Sequence, residues 1–322
     1  METEDIIPNE LKVLLKKQHY EFSGNHTAIK ICEWAKKSLR DEGVCYKEQF
    51  YNIKSHLCCQ MSPTINFCSH SCTFCWRPLE YKLDTKLKLK DRPKDIIDNC
   101  IEAQRKKLSG FWGNEKVNKK KLEEAQNVKH FAISLSGEPT FYPKLPELIK
   151  ELKKRKMSSF LVTNGTNPKI LKKLLEKKAE PTQLYITLPA PDEEIYNQTC
   201  NPSIKNGWKK INESLKLLKK FKRSVIRLTL VKGVNMFNPE KYVQLIEKSN
   251  PLFVECKSYM WVGHSQERLD IKNMPRHEEI VEFAKEIEKN SSYKIIDEKK
   301  ESRVVLMMRK DFEGRKMEFE GL

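Results

Sequence analysis

No stretch of this chain approaches the roughly 20 consecutive apolar residues that a bilayer-spanning helix needs. The first ten residues are acidic and lack the apolar core of a signal segment. Internal repeats are absent, and so are low-complexity linkers apart from a polar insert near residues 113–121. These absences argue against a membrane span, a secreted protein and a repeat architecture, and a soluble cytoplasmic protein is expected. Cysteine, by contrast, is plentiful, with ten in 322 residues. In a long chain without a signal segment, clustered cysteines more often bind metal or do chemistry than form disulfides. Cys100, Cys200 and Cys256 stand apart from the cluster and read as small core hydrophobes.

Hydrophobic residues make up 39% of the chain, enough for a sizeable core. The length suits one large α/β domain with appendages. The net charge is +17, concentrated in runs at 119–121, 153–156, 172–178, 205–210 and 219–223. Such runs are either solvated helix faces or an electrostatic footprint for a polyanion such as RNA. Charge speaks to phosphate affinity and leaves the chemistry open.

Residues 9–20 and 27–40 read as short amphipathic helices. After residue 60 the pattern alternates. Strands are expected at 62–67, 128–135, 159–163, 183–188, 224–231 and 252–259, each rich in β-branched or aromatic residues and bounded by Pro, Gly or Asn. Helices are expected at 93–108, 145–154, 168–177, 204–220, 239–248 and 276–289, with Pro93, Pro168 and Pro239 in first turns. Residues 293–296 and 303–308 suit a closing hairpin. Six strand–helix units imply a mainly parallel sheet, and a closed eight-fold barrel needs two more. The expected organisation is α/β: a helical extension over 1–60, a partial (β/α)6 barrel over 61–290, and a hairpin and tail over 291–322. Chemistry in such a sheet sits at the carboxyl ends of the strands.

Cys68, Cys72 and Cys75 follow the first expected strand with spacing C-x3-C-x2-C. Three thiolates in one tight loop can hold three corners of an iron–sulfur cube, leaving the fourth iron open to a substrate. Zinc is the alternative, but structural zinc prefers four ligands in two arms. A triplet within eight residues serves it poorly, and His70 between the first two cysteines is an awkward fourth ligand. The loop resembles the signature of the radical SAM superfamily, in which an aromatic residue, here Phe74, precedes the last cysteine. The resemblance implies a 4Fe-4S cluster that binds S-adenosylmethionine (SAM) and cleaves it reductively to a 5′-deoxyadenosyl radical. It further implies SAM contacts at Gly137 and Glu138 in Ser136-Gly137-Glu138-Pro139, at Asn164 in Thr163-Asn164-Gly165-Thr166, and at Arg227 and Thr229. Ser136 departs from the usual glycine.

Cys32, Cys45 and Cys58 are spaced by thirteen and thirteen residues, a period that puts them on no common face of a helix or strand. From spacing alone they are ordinary thiols. A wider resemblance changes that reading. Cys45-Tyr46-Lys47-Glu48-Gln49-Phe50-Tyr51, Gln60-Met61-Ser62-Pro63, Trp76-Arg77-Pro78, Ser134-Leu135-Ser136-Gly137-Glu138-Pro139-Thr140, Arg227-Leu228-Thr229-Leu230-Val231-Lys232-Gly233 and Tyr259-Met260-Trp261-Val262-Gly263-His264-Ser265 resemble the archaeal tRNA 4-demethylwyosine synthases over about residues 30–270. The resemblance implies a second 4Fe-4S cluster on Cys32, Cys45 and Cys58, with Cys59 as an alternative ligand and an open iron that can chelate a keto acid. It implies 1-methylguanosine in tRNA-Phe as substrate, pyruvate as two-carbon donor and 4-demethylwyosine as product. No flavin-phosphate loop is visible, so an external electron donor such as a ferredoxin or flavodoxin is expected to serve a monomer. Lys47, two residues past Cys45, is the candidate for a Schiff base with pyruvate or with an intermediate carbonyl during ring closure. Trp76, Trp112 and Trp261, and more weakly Tyr196 and Asn197, are candidates for stacking on RNA bases. A small-molecule or peptide radical SAM enzyme, or a zinc-bearing RNA-binding module, are the competing readings.

Overall fold

A computed structural model describes residues 6–87 and 90–319; residues 1–5 of the acidic start and the last three residues lie outside the described set. In chain order the main elements are α1 (Asn9–Lys17), β1 (Glu21–Phe22), β2 (Ala28–Ile29), α2 (Glu33–Leu39), α3 (Tyr46–Tyr51), β3 (Cys58–Ser62), α4 (Pro93–Leu108), α5 (Lys119–Glu124), β4 (His130–Ile133), α6 (Leu145–Lys154), β5 (Ser158–Thr163), α7 (Pro168–Glu176), β6 (Gln183–Thr187), α8 (Glu193–Cys200), α9 (Gly207–Leu215), β7 (Ser224–Leu230), α10 (Pro239–Ser249), β8 (Phe253–Ser258), α11 (His277–Lys289), β9 (Lys294–Lys299) and β10 (Val304–Met308). They form one sheet in the order β1-β2-β3-β4-β5-β6-β7-β8-β10-β9. β3 to β8 pair in parallel with their sequence neighbours, giving the six-unit partial barrel. β2 adds antiparallel to β3, and the β9–β10 hairpin adds antiparallel to β8. The sheet is curved and open.

The strands sort their side chains by the two-residue period of a pleated sheet. Cys59, Met61, Phe131, Ile133, Leu161, Leu184, Ile186, Ile226, Leu228, Val254 and Cys256 face outward into the main core. The helices meet them with apolar stripes, such as Leu145, Leu148, Ile149 and Leu152 of α6 at i, i+3, i+4 and i+7. Burying each such side chain stabilises by about 1.5–3 kcal/mol before the entropy of ordering it is subtracted. Phe160, Tyr185, Val225 and Phe253 face inward, where Tyr46, Phe50 and Tyr51 of α3 pack on them. α3 thus plugs the amino-terminal end of the barrel. Gln49 Nε2 donates to Asp297 Oδ1 at 2.7 Å and to the Glu298 carbonyl at 2.9 Å, joining α3 to the edge strand β9.

Three expectations need correction. The first barrel strand is Cys58–Ser62 rather than 62–67: Pro63 has no N–H to give a ladder, and Asn66 sits at φ +61 in a loop. The expected helix over 27–40 starts at Glu33, because Ala28 and Ile29 pair with Ser62 and Met61. The expected helix over 204–220 is α9 followed by a 3-10 turn at Leu218–Lys220. α3, α5 and α8 were not anticipated. Among the described residues no helix is long and apolar enough to cross a membrane.

Inside the barrel Glu255 is fully buried and pairs with Arg227 Nε at 3.3 Å. Tyr51 Oη donates to its other oxygen at 2.9 Å. Removing one partner of a buried pair leaves the other charge uncompensated. Glu255→Gln is expected to cost about 3 kcal/mol, read as a lower urea midpoint; an unchanged midpoint would contradict the role given to this pair.

Candidate active site

Cys68, Cys72 and Cys75 line one cavity of about 270 Å³ at the carboxyl ends of the strands, together with Phe74, Gly137, Glu138, Asn164, Arg227 and Thr229. The loop that carries the cysteines is pinned from two sides. α8 presents the Cys200 and Thr199 carbonyls to the Ser71 and Thr73 N–H groups, each at 2.9 Å. Arg77, almost wholly buried, donates Nε to Cys75 Sγ at 3.0 Å and Nη2 to the His70 carbonyl at 3.1 Å. Burial works against the Arg77 charge, yet the sulfurs of Cys75, Cys68 and Cys72 hold its pKa above the ordinary value. Burial pushes the Cys68 thiol up to about 11, with Arg77 opposing. As ligands these cysteines would serve as thiolates, so metal binding there would be coupled to loss of the thiol protons that burial favours.

The neighbouring turns are built for close approach. Gly137 has φ +77, and a Cβ there would lie 2.0 Å from the Thr64 carbonyl oxygen. Glu138 Oε1 accepts from Thr140 N, Thr140 Oγ1 and Thr163 Oγ1, while Oε2 accepts from Asn164 N at 2.7 Å. Oε2 keeps acceptor capacity toward the cavity. Asn164 Nδ2 reaches Ser69 Oγ at 3.1 Å and Cys68 Sγ at 3.7 Å, tying this turn to the cysteine loop. Ser136, in place of a glycine, bonds Asn66 Oδ1 through its hydroxyl at 3.0 Å.

Cys32 precedes α2, Cys45 precedes α3, and Cys58 opens β3. Burial raises the pKa of all three thiols, and Lys47 is near enough to each to oppose that rise. Cys59, one residue along the strand, points the opposite way into the outer core beside Cys100. Lys47 Nζ lies over the inward rings of Tyr185 at 4.7 Å and Phe160 at 5.2 Å. Burial lowers its pKa, then Arg227 does so, while Cys45, Glu255 and Cys58 oppose them. Arg227 connects the two ends. It lines the upper cavity, pairs with Glu255 below and hydrogen-bonds Tyr46 Oη, so its Nε and Nη2 are already committed.

Among the described residues, donor atoms of His70, Cys72 and Cys200 lie within 4.8 Å of one another, a spacing for a single ion. His70 Nε2, however, bonds Tyr196 Oη at 2.8 Å. A cube of iron and sulfide is wider than one ion and takes its thiolates further apart, which suits three cysteines around one cavity. Tyr196 is fully buried by this bond and cannot stack on a base. Trp261 is held by Leu269, whose carbonyl accepts from its indole N–H at 2.6 Å. Trp76 is 42% exposed and lines the cavity mouth, whereas Trp112 is exposed on the connection after α4, away from that mouth. The sequence reading missed Tyr46, Glu255 and Lys257. Glu255 and Lys257 alternate with Val254 and Cys256, and charge at every second position of a central strand is the available signal of a polar interior.

The radical SAM superfamily model matches residues 62–246, and the model for wyosine base formation matches residues 248–309. The SAM-dependent tRNA 4-demethylwyosine synthase of Pyrococcus horikoshii is 49% identical, over 98% of this chain and 93% of its own length. The Homo sapiens enzyme TYW1 is 37% identical over 94% of this chain, which spans only 41% of the human protein. A solved structure of TYW1 with a lysine-pyruvate adduct bound superposes with TM-score 0.88 at 38% identity, covering 97% of this chain and all of that one. A crystal structure of archaeal TYW1 gives TM-score 0.77 at 36% identity, covering 94% and 96%. The cysteine loop, the cavity above six parallel strands and these relationships agree: the chain belongs to the SAM-dependent tRNA 4-demethylwyosine synthases, radical SAM enzymes that carry a 4Fe-4S cluster and act on tRNA.

Proposed function

We propose that this enzyme converts 1-methylguanosine beside the anticodon of tRNA-Phe into 4-demethylwyosine, with pyruvate as two-carbon donor. The observation that carries the reading is Lys47, a buried amine over the inward-facing Tyr185 ring that it shares with Arg227, a residue lining the Cys68–Cys72–Cys75 cavity. Cys68, Cys72 and Cys75 would hold one 4Fe-4S cluster, and Cys32, Cys45 and Cys58 a second. When bound, the first cluster supplies the electron that splits SAM into methionine and a 5′-deoxyadenosyl radical. A radical is a sensible tool here, because a purine N-methyl group is inert toward acids and bases.

The residues have separate tasks. Glu138 Oε2 offers an acceptor for the SAM ammonium, Gly137 lets backbone approach, and Phe74, Asn164 and Thr229 shape the cavity. Arg227 serves chiefly to hold Tyr46 and thereby α3. The Lys47 amine adds to the keto carbon of pyruvate, a C=N bond forms and water leaves. Burial and Arg227 favour the neutral amine that this addition needs. The lysine-pyruvate adduct in a solved relative supports this role. The net charge of +17 favours a polyanionic partner. We place the enzyme in the cytoplasm as a monomer, reduced by a ferredoxin or flavodoxin.

Reconstituted protein given SAM, dithionite, pyruvate and tRNA bearing 1-methylguanosine is expected to yield 4-demethylwyosine by nucleoside mass analysis. SAM cleavage with unchanged nucleosides would refute the assignment. Borohydride with labelled pyruvate is expected to mark wild type and leave Lys47→Ala unmarked; equal marking would remove Lys47 from the mechanism. Iron counts are expected at about eight per chain in wild type and about four in Cys58→Ala. Cys59→Ala is expected to keep about eight, since its thiol faces the outer core; a fall there instead would exchange the two assignments.

A further inference from the structure

Three cations and one carboxylate gather inside the barrel. Lys47 and Arg227 both lie against the Tyr185 ring, at 4.7 and 4.8 Å. Arg227 and Lys257 both lie against the Tyr46 ring, at 6.0 and 5.5 Å. Glu255 is the carboxylate among them, and it is committed to Arg227 and Tyr51. Lys257 has no ion-pair partner among the described residues. Its ammonium gives one hydrogen bond, to the Ser302 carbonyl at 2.7 Å. An ammonium carries three donors, so two remain on a side chain that lines the same cavity as Cys68 and Glu138.

A half-buried cation without a counter-charge is costly unless an anion arrives to meet it. Burial lowers the Lys257 pKa to about 8, with Arg227 and Arg303 adding to the effect and Cys45 and Glu255 opposing it. Arg227 cannot serve an incoming anion as readily, because its Nε and Nη2 are taken. The anion must be small, since it enters between packed rings. It must also suit an amine nearby that attacks carbonyls.

We propose that Lys257 binds the carboxylate of the α-keto acid whose carbonyl Lys47 engages. The proposal rests on the role given to Lys47 above. The carboxylate is bonded directly to the keto carbon and keeps its charge when the C=N bond forms and water departs. It has two oxygens, each with acceptor capacity, so one can accept from Lys257 without exhausting the group. Two amines then read the two functional groups of one small acid: Lys47 the carbonyl, Lys257 the carboxylate. Such a pair selects α-keto acids over simple aldehydes and ketones, which lack the anion.

The test uses reconstituted holoenzyme and labelled pyruvate, in wild type, Lys257→Met and Lys257→Arg. The first readout is the pyruvate concentration that gives half-maximal borohydride trapping. The second is retention of pyruvate in equilibrium dialysis, which reports on Lys257 even where nothing is trapped. In Lys257→Met both are expected to weaken about tenfold or more, the worth of a charge-assisted hydrogen bond. Lys257→Arg retains the cation and is expected to stay within about threefold of wild type. Unchanged pyruvate affinity in Lys257→Met overturns the proposal. So does a loss of SAM affinity with pyruvate affinity intact, which would give Lys257 to the methionine carboxylate. Absence of trapping in wild type, with pyruvate retention still dependent on Lys257, would refute the Schiff base at Lys47 and keep the carboxylate site.

Discussion

The Glu255 carboxylate sits at zero exposure within the curved sheet, and the placement of the amino-terminal segment depends on it. It pairs with Arg227 from the adjacent strand and accepts a hydrogen bond from Tyr51, while Arg227 in turn bonds Tyr46. Both tyrosines belong to α3, which opens at Cys45 and carries Lys47. A six-residue helix has little stability of its own. Its position inside the barrel comes from two aromatic side chains that pack in the core and end on one buried ion pair. Desolvating that pair is expensive, and the return is geometric: a thiol and an amine are held beside the polar residues of β7 and β8.

The cysteine loop above has a parallel arrangement. Backbone carbonyls of α8 fix its course, and Arg77 supplies a buried positive charge beside Cys75. Thiolates that carry a cluster accumulate negative charge, and a guanidinium that never deprotonates is a suitable companion. Arg77 and Arg227 thus solve the same problem at two ends of one interior, the first for sulfur and the second for α3.

Much of this was legible in the sequence. The strand–helix alternation identified six parallel units because buried parallel strands and amphipathic helices have different periods, and Pro93, Pro168 and Pro239 marked helix starts where the structure has them. The Cys68–Cys72–Cys75 loop declared itself by spacing. Cys32, Cys45 and Cys58 did not, because they sit before two short helices and at a strand start, which no local period relates. Cys58 and Cys59 could not be separated until β3 was seen to begin at Cys58, which sends the two thiols to opposite faces. Residues 62–67 suit a strand by their β-branched and aromatic residues, although Pro63 and Asn66 argue for a loop. Tyr196 is by sequence a weak candidate for stacking on RNA; its burial against His70 is a long-range contact that propensity does not encode. The lysine runs at 153–156 and 172–178 fall on or just after the outer helices α6 and α7, so they shape the general field rather than the cavity mouth.

The central claim is that two cysteine sites with different ligands share one barrel interior. Electron paramagnetic resonance of the dithionite-reduced protein tests it most directly, with SAM and pyruvate added separately. SAM is expected to shift the signal that persists in Cys58→Ala, and pyruvate the signal that this variant loses. A single wild-type signal, or one signal that responds to both ligands, would contradict the claim.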